Sequence, residues 1–318
     1  SVNRSVTADS LKTLFYENGS DIRQAEAVGN AELHIDPVTP GPENYKTTVN
    51  APRFDCDFFP TGNNIRSCIG GKKTKTVRLR TIETERRGTQ TLIAESLKVD
   101  FDEGSRNASV YGATGNCKFT ELDRSALAAQ MTFFQADSML KLRGGDPTVW
   151  DGNSRAKAKE IDWNTRDRHS FLRRSVSTTY YSRQKMGDAI PFASSGKPVF
   201  VTSENADFDH DRQIGTFTGN ARSWQDANYV RGDRIVIDQT NGKFNSYGNV
   251  QSVLYDAKPR STSGASAVPV YAAAKSLGYV RDQSLLRYEG ETDVRKGTDR
   301  ITSDNMDVYL NENNELVK

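Results

Sequence analysis

The sequence predicts an all-β fold, elongated rather than compact, and three observations predict it. Long runs alternate apolar and polar residues with a period of two, the period of a strand with one buried face. Gly, Asn and Asp turn signals separate these runs, as between paired strands. A short glycine phrase also recurs: Phe217-Thr218-Gly219-Asn220-Ala221 returns as Ser246-Tyr247-Gly248-Asn249-Val250. A hydrophobic content of 35% is low for a compact enzyme and suits a thin protein with much surface per residue.

The clearest alternation comes first. Ala25, Ala27, Gly29, Ala31, Leu33 and Ile35 share one face, and Gln24, Glu26, Asn30, Glu32 and His34 the other, with Val28 as the exception. The segment before it, from Ala8 to Tyr16, reads as a strand closed by the turn Asn18-Gly19. Residues 36–50 form a Pro/Gly loop, and residues 51–70 repeat strand, turn and strand around Thr61-Gly62-Asn63-Asn64. A hairpin centred there sets Cys56 and Cys68 opposite each other, close enough to bridge; two unrelated half-buried thiols are the alternative. Residues 71–90 are basic and polar and read as a hairpin with a mobile tip.

Leu97, Val99 and Phe101 alternate with Lys98 and Asp100, and after a turn Tyr111, Ala113, Gly115, Cys117 and Phe119 share a face. Residues 125–150 hold another pair of strands. Residues 153–176 are charged; propensity allows a short helix, but a strand fits the surrounding pattern better. Periodicity is lost over 181–195, read as a linker between a module at 1–180 and a second at 196–318. In the second, Gly232-Asp233-Arg234-Ile235-Val236-Ile237-Asp238 and the turn Asn241-Gly242 separate the two glycine phrases, and residues 256–268 form a polar loop. Leu286, Tyr288, Gly290, Thr292 and Val294 then alternate with charged residues, and Met306, Val308 and Leu310 with Asp307, Tyr309 and Asn311.

Five copies of the phrase centre on Gly29, Gly115, Gly219, Gly248 and Gly290, each with its glycine on the apolar face; Gly70 and Gly145 are weaker candidates. A strand glycine costs stability, so its recurrence needs a cause: a bulge that turns the sheet, or close approach of an opposite wall. Parity assigns Leu97, Val99, Phe101, Phe217, Ile235, Ile237, Val250, Tyr288, Met306 and Val308 to the interior.

Several functions are excluded or disfavoured. Charge is nearly balanced, 43 basic against 41 acidic residues, so a dedicated nucleic-acid binder is not expected. No CxxC pair, P-loop or dinucleotide fingerprint occurs, and no cofactor or metal is expected. Asp207-Phe208-Asp209-His210-Asp211 starts like a calcium loop but has Arg212 and Thr218 where such a loop needs glycine and glutamate. His34, His169 and His210 stand apart from any nucleophile elbow. Arg231-Gly232-Asp233 spells an adhesion tripeptide but fills a strand start, and the sequons at Asn18 and Asn107 read as turns. No run of about 18 apolar residues is present. The chain opens on SVNRSVTADS with no apolar leader, as either a mature or a trimmed chain would.

The order Gly219-Asn220-Ala221, Gly232-Asp233-Arg234-Ile235, Asn241-Gly242, Gly248-Asn249-Val250 resembles the OstA/LptA superfamily of periplasmic lipopolysaccharide-transport proteins. Residues 285–318, 8–33 and 94–119 resemble further turns of that family, so the likeness covers about two thirds of the chain. The basic 71–90 stretch, 153–197 and 256–268 depart from it. The resemblance implies a twisted, V-shaped β-jellyroll, solenoid-like in its repeats. It also implies a non-enzymatic periplasmic role, with acyl chains of lipopolysaccharide or a similar amphiphile sheltered in an apolar groove lined by the residues above. Edge strands at both ends would pair with copies of the chain or with other jellyroll modules. A right-handed β-helix, as carbohydrate-active enzyme or stalk, is the alternative.

Overall fold

The structure is a computed structural model and describes residues 2–39, 45–80, 88–105, 107–181, 189–191, 197–255 and 268–310. In chain order the strands are β1 (Val2–Thr7), β2 (Ser10–Phe15), β3 (Ile22–Pro37), β4 (Tyr45–Phe58), β5 (Ile65–Arg80), β6 (Gln90–Phe101), β7 (Ala108–Glu121), β8 (Arg124–Phe134), β9 (Met139–Arg143) and β10 (Thr148–Trp150). They continue as β11 (Ser154–Lys157), β12 (Glu160–Asn164), β13 (His169–Tyr180), β14 (Val199–Asp209), β15 (Ile214–Gln225), β16 (Asn228–Asp238), β17 (Lys243–Tyr255), β18 (Pro269–Val280), β19 (Leu285–Lys296) and β20 (Asp299–Tyr309). The fold is all-β, as the alternation predicted. The 153–176 region holds strands, not a helix: Ala156, Ala158, Ile161 and Trp163 are buried while the charged residues between them face outward.

Backbone packing divides the chain into two compact units. Unit 1 comprises Ser1–Gly152 and Glu160–Arg166; unit 2 comprises Asn153–Lys159 and Asp167–Lys318. The expected linker therefore falls within unit 2, where β13 and β14 on its two sides pair from His169↔Asp209 to Tyr180↔Val199. Ala189 and Ile190, inside that stretch, are buried. The expected tip of the 71–90 hairpin and the 256–268 loop lie largely outside the described residues.

In unit 1, β3 to β8 pair consecutively and antiparallel. β1 and β2 both lie along β3, and β9 and β10 both lie along β8. Unit 2 is an antiparallel meander from β13 to β20. Every one of these ladders is antiparallel, which overturns the alternative of a right-handed β-helix, whose coils stack in parallel.

Each ladder between these consecutive long strands carries a register break near its middle, and the breaks line up from strand to strand. The glycine phrases form breaks of this kind. At Gly219-Asn220 both residues have left-handed backbone, φ 80° and 47°, and the register shifts in β15 between Thr218 and Ala221. A Cβ on Gly219 would lie 2.8 Å from Glu204 Cβ on the preceding strand, so only glycine fits. The bulge, not an opposite wall, explains the recurrence. Gly145 shares the left-handed backbone, at φ 68°. Gly70 does not, since the break in its strand falls between Gly71 and Thr74.

The bulges bend each unit's sheet into two halves with facing inner surfaces. In unit 1, Phe119 from one half meets Trp163 from the other edge-to-face at 6.1 Å. In unit 2, the Ser252 and Tyr288 hydroxyls are 2.8 Å apart across the interior. A bent β-jellyroll results, as expected.

The candidate binding interior

Cross-strand register builds the interior row by row. In unit 1 one row runs Ala27, Phe54, Gly70, Leu97, Ala113, Met131, Leu142, Ile161, each residue directly opposite the next. Val99 sits in the neighbouring row beside Cys68 and Tyr111, and Phe101 closes the strand. Leu97, Val99 and Phe101 are all buried. In unit 2 the corresponding row runs Leu172, Ala206, Phe217, Ile235, Ser246, Leu277, Tyr288, Met306. Ile237 and Val308 belong to the next row, with Phe244, Tyr279 and Leu286, while Val250 follows the bulge in β17.

Phe217, Ile235, Ile237, Val250 and Tyr288 are buried, whereas Met306 and Val308 on β20 are half-buried. The apolar face thus reaches solvent at the β20 edge, where Ile301 is 59% exposed. Apart from Val250, the residues that parity assigned to the groove come from one half of each sheet, although Leu33 and Phe119 of the facing half were read as lying on apolar faces. The facing half brings Leu33, Val49 and Phe119 in unit 1 and Val201 and Val230 in unit 2. Leu33 and Phe119 keep the parity of their strands through Gly29 and Gly115, whereas Val49, Val201 and Val230 differ in parity from Phe54, Ala206 and Ile235 across the break in theirs, so strict alternation misses them.

An apolar cavity of about 50 Å³ lies between the halves of unit 1. Leu92 and Phe119 line it from one half, and Tyr111, Met131, Phe133 and Leu140 from the other. Of such space one water needs about 10–15 Å³. In unit 2, burial pushes the Tyr288 hydroxyl up to about 12, against the opposing pull of the Ser252 hydrogen bond.

On the outer surface each glycine bulge is fastened by a side-chain clasp. Asn30 donates to Asp9 at 3.0 Å, Asn116 to Glu95 at 3.0 Å, Asn220 to Glu204 at 3.2 Å and Asn249 to Asp233 at 2.9 Å. The fifth copy exchanges the roles: Lys275 donates to Glu291 at 2.6 Å beside Gly290.

Cys56 and Cys68 are opposite each other on β4 and β5 and joined by a disulfide, with Cα atoms 4.1 Å apart. Cys117 is buried, and burial pushes its thiol up to about 11. The calcium-like stretch is otherwise engaged: Asp207 pairs with Arg173, Asp211 with Arg168, and Asp209 accepts backbone N–H groups from Asp211 and Arg212. His210 is bound to Ser170 at 2.7 Å, and His34 contacts Thr48 and Glu32. Arg231-Gly232-Asp233 lies within β16, laddered on both sides, and Asn18 and Asn107 sit in turns. Among the described residues no helix is long and apolar enough to cross a membrane, and no group of three or more His, Cys, Asp or Glu could hold a metal ion.

Residues 84–168, reaching from the approach to β6 through β12, match the family described as LptA/(LptD N-terminal domain) LPS transport protein. No curated protein matches the chain. Among solved structures it resembles the crystal structure of LptH, the LptA homologous periplasmic component of the conserved lipopolysaccharide transport device from Pseudomonas aeruginosa. That likeness has 14% identity and a TM-score of 0.32, over 37% of this chain and 78% of the other. Over residues 84–168 the chain is thus similar to the LptA/LptD N-terminal-domain family, the family that its glycine phrases also resemble.

Proposed function

We propose that the chain is a non-enzymatic periplasmic bridge. It shelters the acyl chains of lipopolysaccharide or a similar amphiphile between the halves of its bent sheets, on the way from inner to outer membrane. The observation that carries this reading is the pair of facing apolar surfaces, with the cavity between the halves of unit 1. Apolar surface of this kind draws acyl chains out of water at about 25 cal/mol per Å² buried. In unit 2 the halves are in contact at Ser252 and Tyr288, so loading requires them to part, and the half-buried Met306 and Val308 mark the edge where parting begins. Each of the two units would shelter acyl chains in its own interior.

Photo-crosslinkers placed at Phe217, Ile235 or Val308 test the reading. Labelling of lipopolysaccharide from these positions, and not from Thr218 or Arg234 on the opposite face, is the expected result. Labelling from Thr218 or Arg234 alone refutes it.

The bridge would be extended by edge pairing. Among the described residues β20 is laddered only to β19, so its outer edge offers N–H and C=O groups to a neighbouring copy or another jellyroll module of the transport system. Val308→Pro removes one donor and fixes φ. Light scattering at high concentration should show association of the wild type and less of the variant; a strictly monomeric wild type rules the pairing out.

A further inference from the structure

The outer surface of unit 2 carries a strip that the lipid-sheltering interior does not use. Phe200, Trp224, Tyr229, Val253 and Tyr271 lie directly opposite one another on five successive strands, β14 to β18. The Phe200 and Trp224 rings stack at 5.5 Å. Tyr271 is 50% exposed and Phe200, Trp224 and Tyr229 are partly exposed, while Val253 between Tyr229 and Tyr271 is buried. Aromatic side chains in line on an outward face are costly to leave in water, and Trp and Tyr combine an apolar ring with a polar tip.

The neighbouring row is cationic. Arg222 and Arg231 face each other directly across β15 and β16, a position where like charges repel. The Arg222 guanidinium lies over Tyr229 at 4.7 Å and Trp224 at 5.3 Å, and Arg231 donates to Gln251 at 2.6 Å. Neither arginine pairs with a carboxylate among the described residues. The acids that follow on the same face, Glu204 and Asp233, are held by Asn220 and Asn249. Further along the strip the charges are balanced, since Asp293 takes both Arg295 and Arg300. The unbalanced positive charge therefore coincides with the aromatic end.

We propose that this face, with Trp224, Tyr229 and Tyr271 beside Arg222 and Arg231, docks on an anionic lipid surface. Amphipathic rings settle at the headgroup level, and arginines take the excess negative charge. The contact uses the outside of the sheet and is independent of acyl chains inside it.

The test is co-sedimentation of the full chain with vesicles of phosphatidylglycerol and phosphatidylcholine, and with phosphatidylcholine vesicles alone. Binding should need the anionic lipid and fall with salt. R222Q and R231Q should each weaken it about fivefold, and the pair about 25-fold. R300Q, whose charge is shared with Asp293, serves as the control and should change it less than about twofold. Tyr271→Ser, at an exposed position, tests the aromatic part without disturbing the Arg222 stack and should also weaken binding. An unchanged circular dichroism spectrum shows that each variant is folded. No binding to anionic vesicles, equal binding to phosphatidylcholine alone, binding only to an acidic protein, or a double variant that binds like wild type overturns the proposal. Crosslinking of amphiphile from position 217 should persist in the double variant. Absence of that crosslinking in wild type with vesicle binding intact counts against the interior reading and not this one.

Discussion

Lys275 and Glu291 hold the bulge at Gly290 by a contact of 2.6 Å, with the polarity of the other four clasps reversed. Elsewhere an acid on one strand accepts from an asparagine on the next; here a lysine on the first strand donates to a glutamate. The fold requires a short polar link over the glycine, and either polarity supplies it. Glu291→Lys should therefore lower the melting temperature by setting two cations together, and the double change Lys275→Glu with Glu291→Asn should restore it by rebuilding the common form. The Lys275 hydrogen bond holds the Glu291 carboxyl below its usual range. A depressed carboxyl stabilises the fold above its unfolded pKa, and that contribution disappears as pH falls through the folded value. Thermal melts at neutral pH and in acid should show wild type and the Glu291→Lys variant converging as pH drops.

Gly219 and Gly112 separate two kinds of strand glycine. At Gly219 alanine would need φ near 80° and would strike Glu204, so Gly219→Ala should cost more than about 1 kcal/mol in urea unfolding. At Gly112 nothing lies within 4 Å of where a Cβ would sit, and φ is not left-handed. Gly112→Ala should be neutral or stabilise by up to about 1 kcal/mol, because the unfolded chain loses freedom.

The Cys56–Cys68 disulfide closes a sequence separation of 12 residues. Chain-entropy arguments give about 3 kcal/mol for a loop of this size, so the Cys56→Ala, Cys68→Ala double variant should lose about that much stability, read by denaturant unfolding. Cys117 should stay inert in the native protein, because burial keeps its thiol protonated to about 11. Iodoacetamide should label it only after unfolding.

The legibility of the fold in the sequence varied with one physical condition, whether one face of a strand is apolar and the other charged. Leu33 and Ile35 alternate with His34 and Glu32, and their burial follows from that pattern. Between Ser154 and Lys159 the buried positions are alanine, a weak apolar signal among lysines, so propensity allowed a helix and only the surrounding pattern favoured the strand. Parity assigned Met306 and Val308 to the inner face but could not show that β20 is an edge, where the same face stays half open. The clasps escaped notice because the partner lies well before the glycine in sequence, on the preceding strand or, for Asp9, in the bend between β1 and β2. Yet in the four acid–asparagine clasps the partners are separated by 21, 21, 16 and 16 residues, hairpin-fixed distances that a search for an acid ahead of Gly-Asn would have detected.

Tyr288 ties the two halves of unit 2 together, and its titration offers a direct reading of that contact. Burial raises its hydroxyl to about 12, above the roughly 10 of an exposed tyrosine. Between those values the folded protein keeps a proton that the unfolded chain releases, so stability falls as pH rises through that window. Two pH units correspond to about 3 kcal/mol at most. Tyr288→Phe removes the titrating group and should flatten this alkaline slope. At neutral pH it should cost about 1–2 kcal/mol, because the Ser252 hydroxyl is left buried without its partner. Ser252→Ala should leave the alkaline slope in place while removing the link between the halves. If lipid enters by separation of the halves, both variants should also show stronger crosslinking from position 217 than wild type. Unchanged or weaker labelling in both would mean that the Ser252–Tyr288 contact does not restrain entry.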